Sequence, residues 1–341
     1  MQPQDTEQLE SWETVLFRAA HDMSLTEAQY ELIEARYSLL QDILNVEDEP
    51  LLKGAHIFVQ GSIRLHTTIK PAPDAEDEMA TIDADAIVWL PHTGNATALE
   101  VLAALERRVS KGTRVQEPVQ LLRRGVRIVY GDEDPGFHID ITPARNAPGN
   151  GGFNGEGHLV VPDRVTGWKA SSPRPYSTWL ANVSAEQIAI TNIGSLKARH
   201  MVLAEATQDP LPEYADYIDA NPLRAAIKLL KRNRDTWAIR EDRTDVKPIS
   251  AVITTLASRA YEDVVLQSRR RPMRPIEALI ALVDRMPLLV EGSVGNYRVC
   301  NPEDPGENFA EKWNRPSGEG DSYRRAFLAW HAQAAQDVRL G

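Results

Sequence analysis

A single cysteine, Cys300, stands in 341 residues. That leaves neither a disulfide framework nor a cysteine-based zinc site. Positive charge is also short: 38 Lys and Arg face 49 Asp and Glu, for a formal net charge of -11. A protein that coats long nucleic acid needs a basic face, so that class falls away. A few focused cations can still hold a small anion inside an acidic protein. No apolar run is long enough to cross a membrane. The most apolar late stretch, IEALIALVDRMPLLV, is broken by Asp284, Arg285 and Pro287. The opening MQPQDTEQLE is polar and acidic, unlike a secretory leader, and cytoplasmic residence is the expectation. Internal repeats, low-complexity tracts and a G-x-x-x-x-G-K-[ST] phosphate loop are all missing, and the histidines show no metal-ligand spacing.

What remains is the composition of an ordinary globular protein, with 42% apolar and 26% charged residues and length enough for two lobes. Ser24 and Glu27 form an S-x-x-E box ahead of Ile33, Tyr37, Leu40 and Leu44, which recur at helical spacing. Asn95 is placed to cap a helix that Lys111-Gly112 would end. GVRIVY and FHIDITPA alternate with period two around the turn-forming GDEDPG, which predicts a hairpin. Residues 145–182, rich in Gly, Pro, Asn and Trp, read as a long irregular connection. Beyond them the pattern is mostly helical, with expected helices at 184–206, 222–237, 248–262, 275–285 and 321–337. The expectation is an α+β chain: an α/β lobe over residues 1–182 and a helical lobe over 183–341.

One stretch does not suit a plain core strand. TIDADAIVWL, residues 81–90, sets Asp83 and Asp85 two apart at the head of an apolar run. Residues i and i+2 of a strand share a face, so the two carboxylates project side by side. Asp140, in FHIDITPA, brings a third if its strand is a neighbour. Converging carboxylates on rigid strands suit hard divalent cations such as Mg²⁺. Two ions roughly 3.5–4 Å apart can serve both the attacking and the leaving oxygen of a phosphoryl displacement. One strand earlier, VQGSIRLHTTIKP contains Gly61-Ser62, where a glycine lets the backbone approach a ligand and Ser62 offers a hydroxyl and an N–H. Asp74, Glu76, Asp77 and Glu78 lie between the two motifs and must stay outside any anion site.

In that order the motifs resemble the DNA polymerase β-like nucleotidyltransferase superfamily: G-S, then [DE]-x-[DE], then a third acid on a later strand. More closely, the chain resembles the bacterial cGAS/DncV-like nucleotidyltransferases, which make cyclic oligonucleotide signals in antiphage defence. QGSIRLHTTIKP, IDADAIVWL, FHIDITPA, VPDRVTGWKASSPRPYSTWL, PLRAAIKLLKRNRDTW, KPISAVITTLASRAY and NPEDPGENFAEKW carry the likeness, across residues 60 to 313.

The resemblance implies a bilobed polymerase β-like fold, with a mixed-sheet catalytic lobe and a C-terminal helical lobe. It implies two Mg²⁺ ions (or Mn²⁺), with Asp83 and Asp85 on both and Asp140 completing one site and helping to deprotonate a ribose hydroxyl. Gly61 and Ser62 would hold the donor triphosphate, which Lys231 and Ser250 would reach from the helical lobe. ATP and/or GTP would be joined into a cyclic di- or trinucleotide that a downstream effector recognises. In some relatives the C-terminal residue is conjugated to targets, a role Gly341 would suit. The rivals are a small-molecule adenylyltransferase or RNA-tailing enzyme of the same superfamily, and a catalytically silent nucleotide-binding scaffold. On the helix containing Lys231, Arg224 and Arg232 read as a solvated basic face. His138 in FHIDITPA shares the face of Asp140, where it could touch substrate, but reads as structural or surface. Trp168 and Trp179 read as core packing, and SRRRPMRP, residues 268–275, as a solvated basic loop.

Overall fold

The computed structural model describes residues 3–44, 49–112, 118–131, 135–190, 221–316 and 318–339. Its centre is a mixed sheet in the order β1 (His56–Gln60), β2 (Ile82–Trp89), β5 (Phe137–Asn146), β4 (Val126–Tyr130), β3 (Gln120–Leu121). Strand β2 runs antiparallel to β1 and parallel to β5, and β4 and β5 form the antiparallel pair expected from their alternation. From the far end of β5 the sheet continues through β6 (Leu159–Asp163) to β7 (Gly167–Ser171).

Alternation decides what each face carries. Ile82, Ala84, Ala86 and Val88 of β2, with Phe137, Ile139 and Ile141 of β5, are buried in one core with helices α2 (Glu27–Leu44) and α4 (Ala98–Gly112). The opposite face is divided along its length. At one end stand Asp83, Asp85, His138 and Asp140; at the other, Phe58, Ile87, Trp89, Ala144, Leu159 and Val161 form a small apolar cluster. Strand β2 therefore reads as uniformly apolar only after Asp85, where that second cluster covers it.

A separate core joins α5 (Pro173–Ala185), α6 (Pro222–Arg240), α7 (Ser250–Arg270), α8 (Pro275–Arg285) and α9 (Glu319–Asp337) around residues such as Ile227, Leu256, Tyr261, Phe327 and Trp330. The first helix, α1 (Pro3–Asp22), docks on this helical layer: Glu13 binds the Arg274 guanidinium through both oxygens, and the Trp12 indole donates to the Val338 carbonyl.

Several local expectations are corrected. The box that starts α2 is Thr26 with Gln29, each accepting from the other's backbone N–H. Ser24 is instead buried, accepting from Lys228 Nζ at 2.8 Å. Thr97 and Glu100, not Asn95, make the equivalent box for α4. Residues 145–182 are ordered structure: β6 and β7 form a hairpin about a turn whose Gly167 has φ +80°, and α5 follows with proline in its first turn. Helix α5 ends at Ala185, so no helix begins at Ser184, whose hydroxyl donates to the Ala181 carbonyl. The rest of the helix expected over 184–206 lies outside the described residues from 191 on.

The segment NPEDPGENF forms a small hairpin of β8 (Cys300–Asn301) and β9 (Asp304–Asn308). Polar contacts tie it to the β7–α5 junction: Ser171 Oγ, the Ser172 N–H and Asn301 Nδ2 all donate to Glu307, and Ser172 Oγ donates to Asp304. Trp168 packs against the sheet core under the Arg145 guanidinium, and Trp179 packs on the helical core beside Tyr176, as expected. SRRRPMRP is not a solvated basic loop throughout: Ser268–Arg270 are the last turn of α7, with Ser268 buried and Arg269 paired with Glu186, and Arg274 is held by Glu13.

Candidate active site

Strand register assembles the site. Asp85 pairs across β2–β5 with Asp140, Gln60 flanks Asp85 on β1, and Arg127 flanks Asp140 on β4, giving one row across four strands. In the next row Asp83 pairs with His138. The three aspartates expected from sequence thus share one end of one sheet face.

Arg127 grips Asp140 with two hydrogen bonds, Nε to Oδ1 at 2.5 Å and Nη2 to Oδ2 at 2.9 Å. Such a fork fixes a carboxylate plane as a lysine would not. Beside it, His138 Nε2 lies 3.0 Å from Asp83 Oδ1, and its other ring nitrogen lies 2.8 Å from the Thr81 hydroxyl. Ligand atoms of Asp83, His138 and Asp140 all fall within 4.8 Å of one another.

Electrostatics separate the three acids. For Asp83, crowding by the surrounding protein raises the pKa although the side chain stays partly open to solvent, but the His138 hydrogen bond and the positive charges of Arg127 and Lys231 outweigh it, and the net shift is downward. Asp85 is pushed well up, first by burial and then by repulsion from Asp83 and Asp140, against weaker help from Lys231 and Arg127. Asp140 is also raised, with burial exceeding the effect of the Arg127 fork. Repulsion of this kind is what a bound cation relieves. The hard oxygen donors fit a divalent ion of the Mg²⁺ type, and the nearby imidazole does not spoil that fit.

The Gly61-Ser62 turn is pressed onto the same acids. After β1 the chain enters a single helical turn, α3 (Gly61–Arg64), with Gly61 at φ +63°. A β-carbon on Gly61 would lie 1.9 Å from Asp85 Oδ2, so only glycine leaves the carboxylate its place. Ser62 Oγ accepts from the Thr68 hydroxyl at 2.9 Å, and the Ser62 carbonyl accepts from the Thr67 N–H.

From the helical layer, α6 reaches this turn. Lys231 is 3% exposed, and its ammonium donates to the Thr67 carbonyl at 3.0 Å and the Thr67 hydroxyl at 3.3 Å. Desolvation and Arg234 lower its pKa to about 7, although Asp235, Asp83 and Asp85 pull the other way. Ser250 meets α6 one turn further on, where its hydroxyl accepts from Arg234 Nη1 at 3.2 Å. Arg232 is not on a solvated face: its Nη2 donates to the Lys70 and Pro71 carbonyls. Asp74 and Glu76 are exposed. A cavity of about 300 Å³ lies at the opposite end of β2 and β5, lined by Trp89, Arg145 and Asn146, and holds none of the expected site residues.

Sequence reasoning passed over Arg127, a lone cation at an alternating position of GVRIVY, while His138, expected on the face of Asp140 and read as structural or surface, is buried there beside Asp83. The signal for both was strand alternation: a charged or polar residue on the face that carries the acids.

Residues 15–183 match the family model described as the Second Messenger Oligonucleotide or Dinucleotide Synthetase domain, SMODS. They form a SMODS domain. No curated protein matches the sequence. Among solved structures, the CD-NTase CdnG of Bradyrhizobium diazoefficiens, in complex with GTP, aligns with a TM-score of 0.64 at 21% identity, over 96% of this chain and 91% of CdnG. Vibrio cholerae DncV in its apo form aligns with a TM-score of 0.52 at 14% identity, over 99% of this chain and 85% of DncV. DncV bound to 3′-deoxy ATP gives 0.51 at 12% identity, over 99% and 85%. The fold is that of the cGAS/DncV-like nucleotidyltransferases, an α+β polymerase β-like architecture. The SMODS match over residues 15–183 supports a nucleotidyltransferase.

Proposed function

We propose that this chain joins ATP and/or GTP into a cyclic di- or trinucleotide, releasing pyrophosphate, as a signal that a downstream effector reads in antiviral defence within the cytoplasm. The observation that carries the reading is the register of β2 and β5, which sets Asp83, Asp85 and Asp140 side by side against the Gly61-Ser62 turn and the buried Lys231. The SMODS match supports it. We place the division between catalytic and helical lobes at the β7–α5 junction, near residue 172 and not at the expected 182, because α5 packs in the helical core, with the nucleotides bound between the lobes.

In this reading Asp83 and Asp85 hold two Mg²⁺ ions, Asp140 completes one site, and Mn²⁺ can substitute. The ions would supply Lewis acidity at the phosphates and neutralise charge on the departing pyrophosphate. The protein's part is placement. Gly61 and Ser62 present backbone N–H groups and a hydroxyl to the donor triphosphate, and Lys231 adds charge from α6. Ser250, at the start of α7, approaches the same phosphates beside Arg234. Asp140, oriented by Arg127, takes the proton from the acceptor ribose hydroxyl. Alignment of hydroxyl and α-phosphate, with charge already in position, supplies most of the acceleration. Conjugation through Gly341 would be a separate property, at a residue outside those described.

The test is pyrophosphate release from ATP, GTP and their mixture, with Mg²⁺ and with chelator. Release that needs both protein and metal supports the reading. Template-free extension of RNA, or transfer of one nucleotide to a small acceptor, would favour the other superfamily chemistries.

A further inference from the structure

We propose that Thr81 and His138 form a relay that fixes the orientation of the Asp83 carboxylate and so sets the affinity of the site for its divalent cation. The inference rests on the reading of Asp83 as a metal ligand and adds residues that reading does not require.

Geometry carries it. Asp83 and His138 are directly paired neighbours on parallel strands, so their side chains leave the sheet together. The His138 side chain is only 5% exposed, whereas that of Asp83 is 58% exposed. A buried ring that gives one nitrogen to the Thr81 hydroxyl and the other to Asp83 Oδ1 has no rotational freedom left. An ionised carboxylate only accepts, so Nε2 carries the hydrogen toward Asp83, and in the neutral ring Nδ1 accepts from the Thr81 hydroxyl. Asp83 thus selects the tautomer, Thr81 anchors the other nitrogen, and the ring so held aims its donor at one oxygen of the carboxylate. Asp140 has a different holder, the Arg127 fork. Each outer acid therefore has its own positioning residue. Hydrogen-bond partners of a ligating carboxylate commonly govern metal affinity by about 10- to 100-fold.

The test is Mn²⁺ affinity of the full-length chain, read by electron paramagnetic resonance of the free ion, so that no turnover is involved. His138→Ala should weaken Mn²⁺ binding about 10- to 100-fold. Thr81→Val, which keeps side-chain shape and removes the hydroxyl, should move it in the same direction by less. Thr81→Ser should restore it. Unchanged affinity in both His138→Ala and Thr81→Val, in chains that unfold at the wild-type temperature, would overturn the relay. So would nitrogen coupling to bound Mn²⁺ in the wild type, which would make His138 a ligand and not a positioning residue. If His138→Ala fails to fold, the Thr81→Val and Thr81→Ser pair decides alone. Asp83→Asn separates the two levels: if it leaves Mn²⁺ affinity intact, the metal reading itself fails. If it abolishes binding while the relay variants do not, only the relay fails.

Discussion

Gly61 and Asp85 occupy space that only one of them can fill. A methyl group on Gly61 would lie 1.9 Å from Asp85 Oδ2, and the backbone there is at φ +63°. Gly61→Ala should therefore both strain the turn, by about 1–2 kcal/mol from the left-handed backbone alone, and displace the carboxylate. Synthesis should fall by at least about 100-fold, as expected when a reacting group is misplaced by an ångström. Denaturant unfolding and turnover, measured on the same preparation, check both effects.

Asp85 is a liability to the metal-free fold. Its folded pKa is raised, by burial first and then by Asp83 and Asp140. The folded state therefore keeps its proton to higher pH than the unfolded state does. Its contribution to stability is present below the unfolded pKa and is lost as pH rises through the folded value. Asp85→Asn should accordingly raise the melting temperature at pH 7.5 in EDTA. The gain should shrink as pH falls toward the unfolded carboxylate value, and it should be absent for an exposed control such as Asp74→Asn. Thermal melts across pH read this directly.

Lys231, with its pKa lowered to about 7, is mostly neutral at pH 8 in the free protein. A bound triphosphate favours the ammonium, so nucleotide binding at pH 8 should take up a proton. Calorimetry in buffers of different ionisation enthalpy measures that uptake, and Lys231→Met should abolish it. The same variant bears on stability. The unfolded lysine binds a proton between pH 7 and its ordinary value near 10.5, where the folded one does not, so this residue makes stability rise with pH across that window. Lys231→Met should flatten the rise.

Arg127 is predicted to matter through Asp140. Its removal leaves a mostly buried carboxylate without its fork, so Arg127→Met should destabilise the chain by about 3 kcal/mol. Arg127→Lys keeps the charge and loses the two-point grip. It should recover much of the stability but little of the turnover. Comparing unfolding free energies with turnover in the two variants separates charge from orientation.

The acids were legible in sequence because a strand's two-residue period is strict. Asp83 and Asp85 had to share a face, and alternation in FHIDITPA put Asp140 on the face opposite Phe137 and Ile139. Parallel pairing then supplied the register, which no local pattern records. Arg127 and His138 carried the same periodic signal, but a single polar residue in a strand has many ordinary explanations, and only cross-strand neighbours give these two meaning. The hairpin β6–β7 and helix α5 were hidden because glycine and proline mark loops in general, while here they serve one tight turn and one helix start. The helix boxes shifted by two residues because several Ser, Thr and Asn candidates lay close together. Ser24 is taken by Lys228, 204 residues away, a contact no window could contain.

The most direct test is the product itself. Wild-type chain, incubated with all four NTPs and Mg²⁺, treated with phosphatase and examined by mass spectrometry, should yield a small phosphatase-resistant cyclic nucleotide. Asp83→Asn/Asp85→Asn and Asp140→Asn chains, folded as judged by melting, should yield none. Cyclic product from the variants at the wild-type level would contradict the site, and linear or acceptor-linked product alone from the wild type would contradict the proposed cyclisation.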